Sequence, residues 1–98
     1  MRLETVKNYC DITWNDSQTD AKVQGILDRA QSKLNDFAGV ELDYTDETSV
    51  IAQLLLDCCW YILNRKLDEF EINYGPELIA LRAERQAEAY AEANDSDV

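Results

Sequence analysis

The chain has no histidine, one proline and three glycines, and its 9 Lys and Arg are outnumbered by 20 Asp and Glu, giving a formal net charge of −11 over 98 residues. Each shortage excludes something. Without histidine, the commonest general base and the commonest nitrogen ligand for metals are missing. With so few turn residues the chain can reverse direction in few places, which favours a handful of long elements over many short strands. With basic residues sparse, it cannot displace the counterions of a nucleic-acid backbone, and an anionic membrane surface repels it. Partners with basic surfaces are favoured instead. No apolar run approaches the roughly 20 residues needed to cross a bilayer. Met1-Arg2-Leu3-Glu4 lacks the apolar core of a signal peptide, so a cytoplasmic origin is expected.

The remaining chemistry is equally sparse. There is no Gly-rich phosphate loop and no GxSxG elbow. Cys10, Cys58 and Cys59 have no metal-ligand spacing and read as small, reduced, buried hydrophobes. Paired acids such as Asp46–Glu47 and Glu69–Glu71 arise by chance in so acidic a chain. The 43–47 segment, with Asp43, Asp46 and Glu47, could attract a divalent cation only loosely, since it lacks the glycine and ligand spacing of an EF-hand. No cofactor, metal or catalytic group is expected. Hydrophobic residues make up 46% of the chain, enough for one globular domain.

What is present is helical periodicity. Leu3, Val6, Tyr9 and Cys10 share one face of a short helix of about two turns. A polar linker with Ile12 and Trp14 follows, in which Asn15, Asp16 and Ser17 suit turns and caps. Val23, Ile26, Leu27, Ala30, Leu34 and Phe37 then form a single apolar stripe, predicting a helix over about 19–38. Ser17 with Asp20 makes a weak capping box at its start, and Gly39 suits a left-handed C-cap. After a polar connection anchored by Leu42 and Tyr44, Asp46, Thr48 or Ser49 can cap a third helix over about 49–66. That helix is apolar on most sides, and Gln53, Asp57 and Asn64 collapse onto one narrow polar strip. It should be the central helix or be covered partly by another subunit. Asp57 on that strip reads as a solvent-facing or paired carboxylate. Arg65 and Lys66 suit the dipole at its C-terminal end.

Phe70-Glu71-Ile72-Asn73-Tyr74 alternates with period two, which reads as a short extended connector able to add a strand to a neighbour or pack on its own helices. Gly75-Pro76 opens a fourth helix reaching about residue 93. Its apolar stripe, Ile79, Ala83, Ala87 and Tyr90, thins toward an acidic, fraying end, so its second half should project or dock on a partner. The expected fold is all-α: a small four-helix domain with a central apolar helix, a core over 1–75 and a protruding C-terminal arm over 76–98. Phe70, Ile72, Tyr74, Ile79, Ala83 and Tyr90 are the candidate partner or oligomer contacts.

The order of these elements, with the opening Leu3-Glu4-x-Val6-Lys7-x-Tyr9 and the Tyr61-x-x-Asn64-Arg65 close of the third helix, resembles the gp6-like head–tail connector (adaptor) family of tailed bacteriophages and prophages. The resemblance runs over about 3–65, with a C-terminal helix in the expected place. It implies a structural virion protein, made in the bacterial host cytoplasm and placed at the head–tail junction. Such a protein forms a homo-oligomeric ring, a dodecamer matching the portal, and joins the portal protein to the next connector or tail component. DNA would pass through the lumen without specific binding, which acidic walls would favour. The 67–74 segment departs from the looser Gly-rich loop of relatives. A different reading suits the acidity and small size equally: an interaction protein or DNA mimic that inhibits a basic nucleic-acid enzyme.

Overall fold

The computed structural model describes residues 1–95, with side chains through Glu92. Among these residues the chain is all-α, with five helices: α1 (Leu3–Tyr9), α2 (Ser17–Ala38), α3 (Val50–Leu63), α4 (Leu67–Asn73) and α5 (Gly75–Asp95). Helix α2 is the hub, packing against α1, α3 and α5, while α3 also meets α1 and α4. The α2 stripe supplies Val23, Ile26, Leu27, Ala30, Leu34 and Ala38 to the core, and α3 supplies Ala52, Leu54, Leu55, Leu56, Cys58 and Cys59. Each fully buried aliphatic side chain of this kind contributes about 1.5–3 kcal/mol relative to exposure. The apolar run of α3 is enclosed along its middle and left open at its ends, where Val50 and Trp60 reach the surface. The core continues past residue 75, because Leu78 and Leu81 of α5 are buried in it.

Helix boundaries follow local chemistry. Helix α2 starts at Ser17 because Asp16, not Ser17, is the cap: its Oδ1 accepts from the Thr19 N–H at 2.7 Å. Ser49 caps α3 in the same way, with its Oγ accepting from the Ala52 N–H at 3.0 Å. Gly39 closes α2 in the left-handed region at φ 76°, its N–H bonded to the Asn35 carbonyl at 2.9 Å.

Two further helix ends adopt that region without glycine. After α1, Asp11 has φ 58°, with Ile12 N–H donating to the Lys7 carbonyl at 2.8 Å and Asp11 N–H to the Asn8 carbonyl at 3.3 Å. After α3, Arg65 has φ 58°, with Lys66 N–H donating to the Tyr61 carbonyl at 2.7 Å and Arg65 N–H to the Ile62 carbonyl at 3.0 Å. Both are Schellman endings. They explain how so glycine-poor a chain still reverses sharply, and each carries the left-handed penalty of about 1–2 kcal/mol that a side chain imposes. Arg65 therefore closes a turn beyond α3 rather than sitting in its last turn.

The connector expected at 67–74 is instead α4, so the domain holds five helices rather than four. The period-two pattern misleads because Leu67, Phe70 and Tyr74 also fall at i, i+3 and i+7, a helical stripe. That stripe completes an aromatic cluster. Phe70 lies 5.6 Å from Tyr61 and 4.7 Å from Tyr74 between ring centroids, and Tyr61 meets Tyr74 edge-on at 5.9 Å. Only Ile72 is left facing out. The acidic end expected to fray includes 96–98, which lie outside the described residues, while α5 runs to Asp95.

Two stability outcomes follow. Phe70→Ala should lower unfolding free energy in urea by about 3–5 kcal/mol, as for a large aromatic removed from a closed core, whereas a connector outside the core would leave it nearly unchanged. Asp11→Gly should raise it by about 1 kcal/mol, because glycine takes the left-handed position without strain.

Candidate functional site

The carboxylates were the first candidates for chemistry, and most are engaged by their own chain. Asp43 accepts from the Thr45 hydroxyl at 2.6 Å and its N–H at 2.9 Å, and Asp46 does the same for Thr48 at 2.6 and 3.0 Å. Glu47 reaches back to α1, accepting from the Arg2 N–H at 2.7 Å and the Thr5 hydroxyl at 2.9 Å. It therefore caps a helix far away in sequence. The Thr45 and Thr48 hydroxyls hold Asp43 and Asp46 below the usual carboxylate range, and the Arg2 N–H does so for Glu47. No grouping of acids or cysteines suited to a metal ion occurs among the described residues.

Asp57 is the centre of a second network. Its carboxylate accepts from the Tyr9 hydroxyl, from the Tyr74 hydroxyl at 3.1 Å and from Gln53 Nε2 at 3.0 Å. It is thus the paired carboxylate that its strip position implied, and it ties α1 and the end of α4 to α3. Tyr9, expected on the buried face of α1, is instead 40% exposed, with its hydroxyl on Asp57. Its phenol is pushed up to about 12, first by that hydrogen bond and then by burial. Tyr74 is also pushed up to about 12, first by burial and then by the Asp57 charge.

Sequence reasoning missed Lys7. It takes the buried place on α1 beside Val6, at 8% exposure, with its Nζ 2.8 Å from Asp20 Oδ1 and 2.9 Å from Asn15 Oδ1. The only available signal was its position four residues after Leu3 and one after Val6, which places it at the edge of the apolar face. The pair clamps α1 onto the first turn of α2. Cys58 and Cys59 are fully enclosed, and burial pushes both thiols up to about 12. Cys10 is half-buried, and its thiol is raised by the same cause.

The candidate contact residues divide. Phe70 is fully buried and Tyr74 is half-buried and bonded to Asp57, so both serve their own chain, which corrects their expected role. Ile72, Ile79 and Tyr90 are more than 70% exposed, and Ala83 is exposed as well. Trp14 and Val50, not among the expected contacts, are as open, at 71% and 78%. Between the start of α3 and α5 runs a mainly apolar groove of about 490 Å³, lined by Val50, Ile51, Leu54, Ala80 and Leu81 with Glu77 and Glu84 at its rim. Among the described residues, no helix is long and apolar enough to cross a membrane. Set against known proteins, the chain matches no family model, no curated protein and no solved structure.

The Asp57 network gives an alkaline signature. Both phenols ionise at higher pH folded than unfolded, so their contribution is complete below about pH 10, the unfolded value, and is lost as pH rises toward about 12. Thermal stability should fall over that window. In ultraviolet titration of the folded protein, Asp57→Asn should bring Tyr9 ionisation down further than Tyr74 ionisation, because the Asp57 bond is the leading cause only for Tyr9.

Proposed function

We propose that this chain is a structural head–tail connector, a subunit of a ring that sits beneath a phage portal and extends the DNA channel toward the tail. The observation that carries the reading is the set of large apolar side chains left open on separate elements: Trp14 before α2, Val50 at the start of α3, Ile72 on α4, and Ile79 and Tyr90 on α5. A subunit in a closed ring meets its neighbours through two unlike surfaces, and a further component through a third. Apolar residues spread over several faces suit that need. The resemblance over 3–65 points the same way.

The residues that carry the resemblance hold the fold. Val6 and Lys7 are buried, Tyr9 bonds Asp57, Tyr61 joins the aromatic cluster, Asn64 donates to the Trp60 carbonyl at 2.8 Å, and Arg65 forms the left-handed turn. Such positions specify a scaffold whose function is spread over its surfaces. The four helices expected for the domain fit α1, α2, α3 and α5, the last in the place of the expected C-terminal arm, with α4 in place of the 67–74 connector. A net charge of −11 suits a conduit wall along which DNA slides without sticking.

Light scattering on the purified chain, alone and mixed with the portal protein encoded by the same genome, tests the reading. A closed ring, alone or on the portal, is expected. Ile72→Asp with Ile79→Asp should prevent that assembly while changing unfolding free energy by less than about 0.5 kcal/mol per site, as at open surface positions. A chain that stays monomeric beside the portal, or that captures a basic nuclease or polymerase instead, overturns the reading in favour of an acidic inhibitor.

A further inference from the structure

Resting on the ring reading, we infer that the contact between neighbouring subunits seats the outer face of α5 from one copy in a basic groove between α2 and the end of α3 on the next. The groove encloses about 460 Å³, with Ile26, Ile62 and Leu63 in its lining and Lys22, Arg29 and Arg65 as its only charged residues. In a chain with 20 acids and 9 bases, a cleft lined by cations alone is the exception. Among the described residues, none of the three forms an ion pair, nor does Arg82 of α5, whereas the other five basic residues, Arg2, Lys7, Lys33, Lys66 and Arg85, all do.

A second observation lies on the same face. Gly25 sits in mid-α2 within this groove, and a Cβ built on it would meet nothing within 4 Å. Neither packing nor backbone conformation within the chain requires glycine there, yet glycine in a helix interior costs about 1 kcal/mol relative to alanine. A bare backbone patch allows another helix to come close. At 100° per residue, Lys22, Gly25 and Arg29 fall within about 60° of one another, so the patch lies between the two cations.

The complementary surface is on α5. On the same wheel Ala83, Ala87 and Tyr90 also fall within about 60°, opposite the buried Leu78 and Leu81. Two alanines make the middle of this face shallow, between the exposed Ile79 and Tyr90, where it would meet the glycine patch. Glu77 and Glu84 edge it on the side toward the α3–α5 groove, with Arg82 at the opposite edge; both acids are without an ion-pair partner among the described residues, and their seven-residue spacing equals that of Lys22 and Arg29, a rise of about 10 Å along either helix. Apolar small residues meet apolar small residues, acids meet bases, and Tyr90 is left to cover the Ile62–Leu63 floor. Because groove and arm are different surfaces, the contact is heterologous and propagates until a ring closes.

Analytical ultracentrifugation of the full chain with itself, and with the portal, tests this. Gly25→Leu leaves the fold intact, since the position is exposed and the change favours helix, and should weaken association by at least about tenfold without lowering the melting temperature. Lys22→Glu with Arg29→Glu should weaken it likewise, as should Glu77→Lys with Glu84→Lys. Mixing those two double variants should restore assembly, since each reversed groove then meets a reversed arm. Wild-type assembly by the Gly25→Leu chain, or a mixture no better than its components, overturns this contact and leaves the ring reading standing. A wild-type chain that joins neither its copies nor the portal overturns both.

Discussion

Everything else in the fold hangs on mating α2 with α3. The α3 run from Val50 to Leu63 is too apolar to stand in water and too short to be anything but a core element. The α2 stripe, on a 22-residue helix, is the surface that covers it. Small side chains mark where the core is most closed: Ala30, Ala52, Cys58 and Cys59 all have no exposure. Once that pair is docked, α1, α4 and α5 have defined seats along its sides. Helices α1 and α4 are marginal alone, with seven residues apiece, well below the length at which an isolated helix persists.

Polar contacts then fix those seats. Glu47 caps α1 from the α2–α3 loop, Lys7 clamps α1 to Asp20, and Asp57 gathers Tyr9 and Tyr74 from either side of α3. An acidic chain would ordinarily loosen itself by self-repulsion. Here several carboxylates are turned into acceptors for N–H and O–H donors, so charge is held where it fixes geometry. Lys7 shows the corollary: in a short helix with little apolar surface, a buried lysine paired with the half-exposed Asp20 does what a leucine would do in a longer one. Removing Asp20 would leave the buried ammonium with only Asn15 as a partner, the costly way to break such a pair.

The long helices were legible because their periodicity is strong and their punctuation ordinary. Gly39 and Ser49 took the positions that capping chemistry assigns them, and Asp57 was paired as its strip implied. The failures are local. Phe70-x-Ile72-x-Tyr74 satisfies two periods at once, and only its neighbours Leu67 and Tyr61 decide in favour of the helix. Asp11 and Arg65 in left-handed turns carry no glycine to announce them. The Lys7–Asp20 pair and the Glu47 cap join residues 13 and 42 to 45 positions apart, beyond what a local pattern can register. Of the candidate contacts, the sequence located apolar residues outside the main stripes but could not say which of them the chain itself covers. That depended on where α4 turned back, and the cation-lined groove depended on the crossing of α2 with the end of α3.

On the ring reading, the charge distribution resolves the tension of an acidic chain that must join its own copies. Two copies at −11 each repel on approach, but at physiological salt that repulsion fades beyond a Debye length of about 8 Å. What remains at contact is whichever charges face one another. Acids spread over the whole surface penalise nearly every orientation, and a cation-lined cleft relieves the penalty in one. On the ring reading, the surplus of negative charge thereby selects the orientation in which copies would join. Small side chains on both faces add close packing only after that orientation is reached. Specificity of this kind comes from the many encounters made unfavourable as much as from the one made favourable.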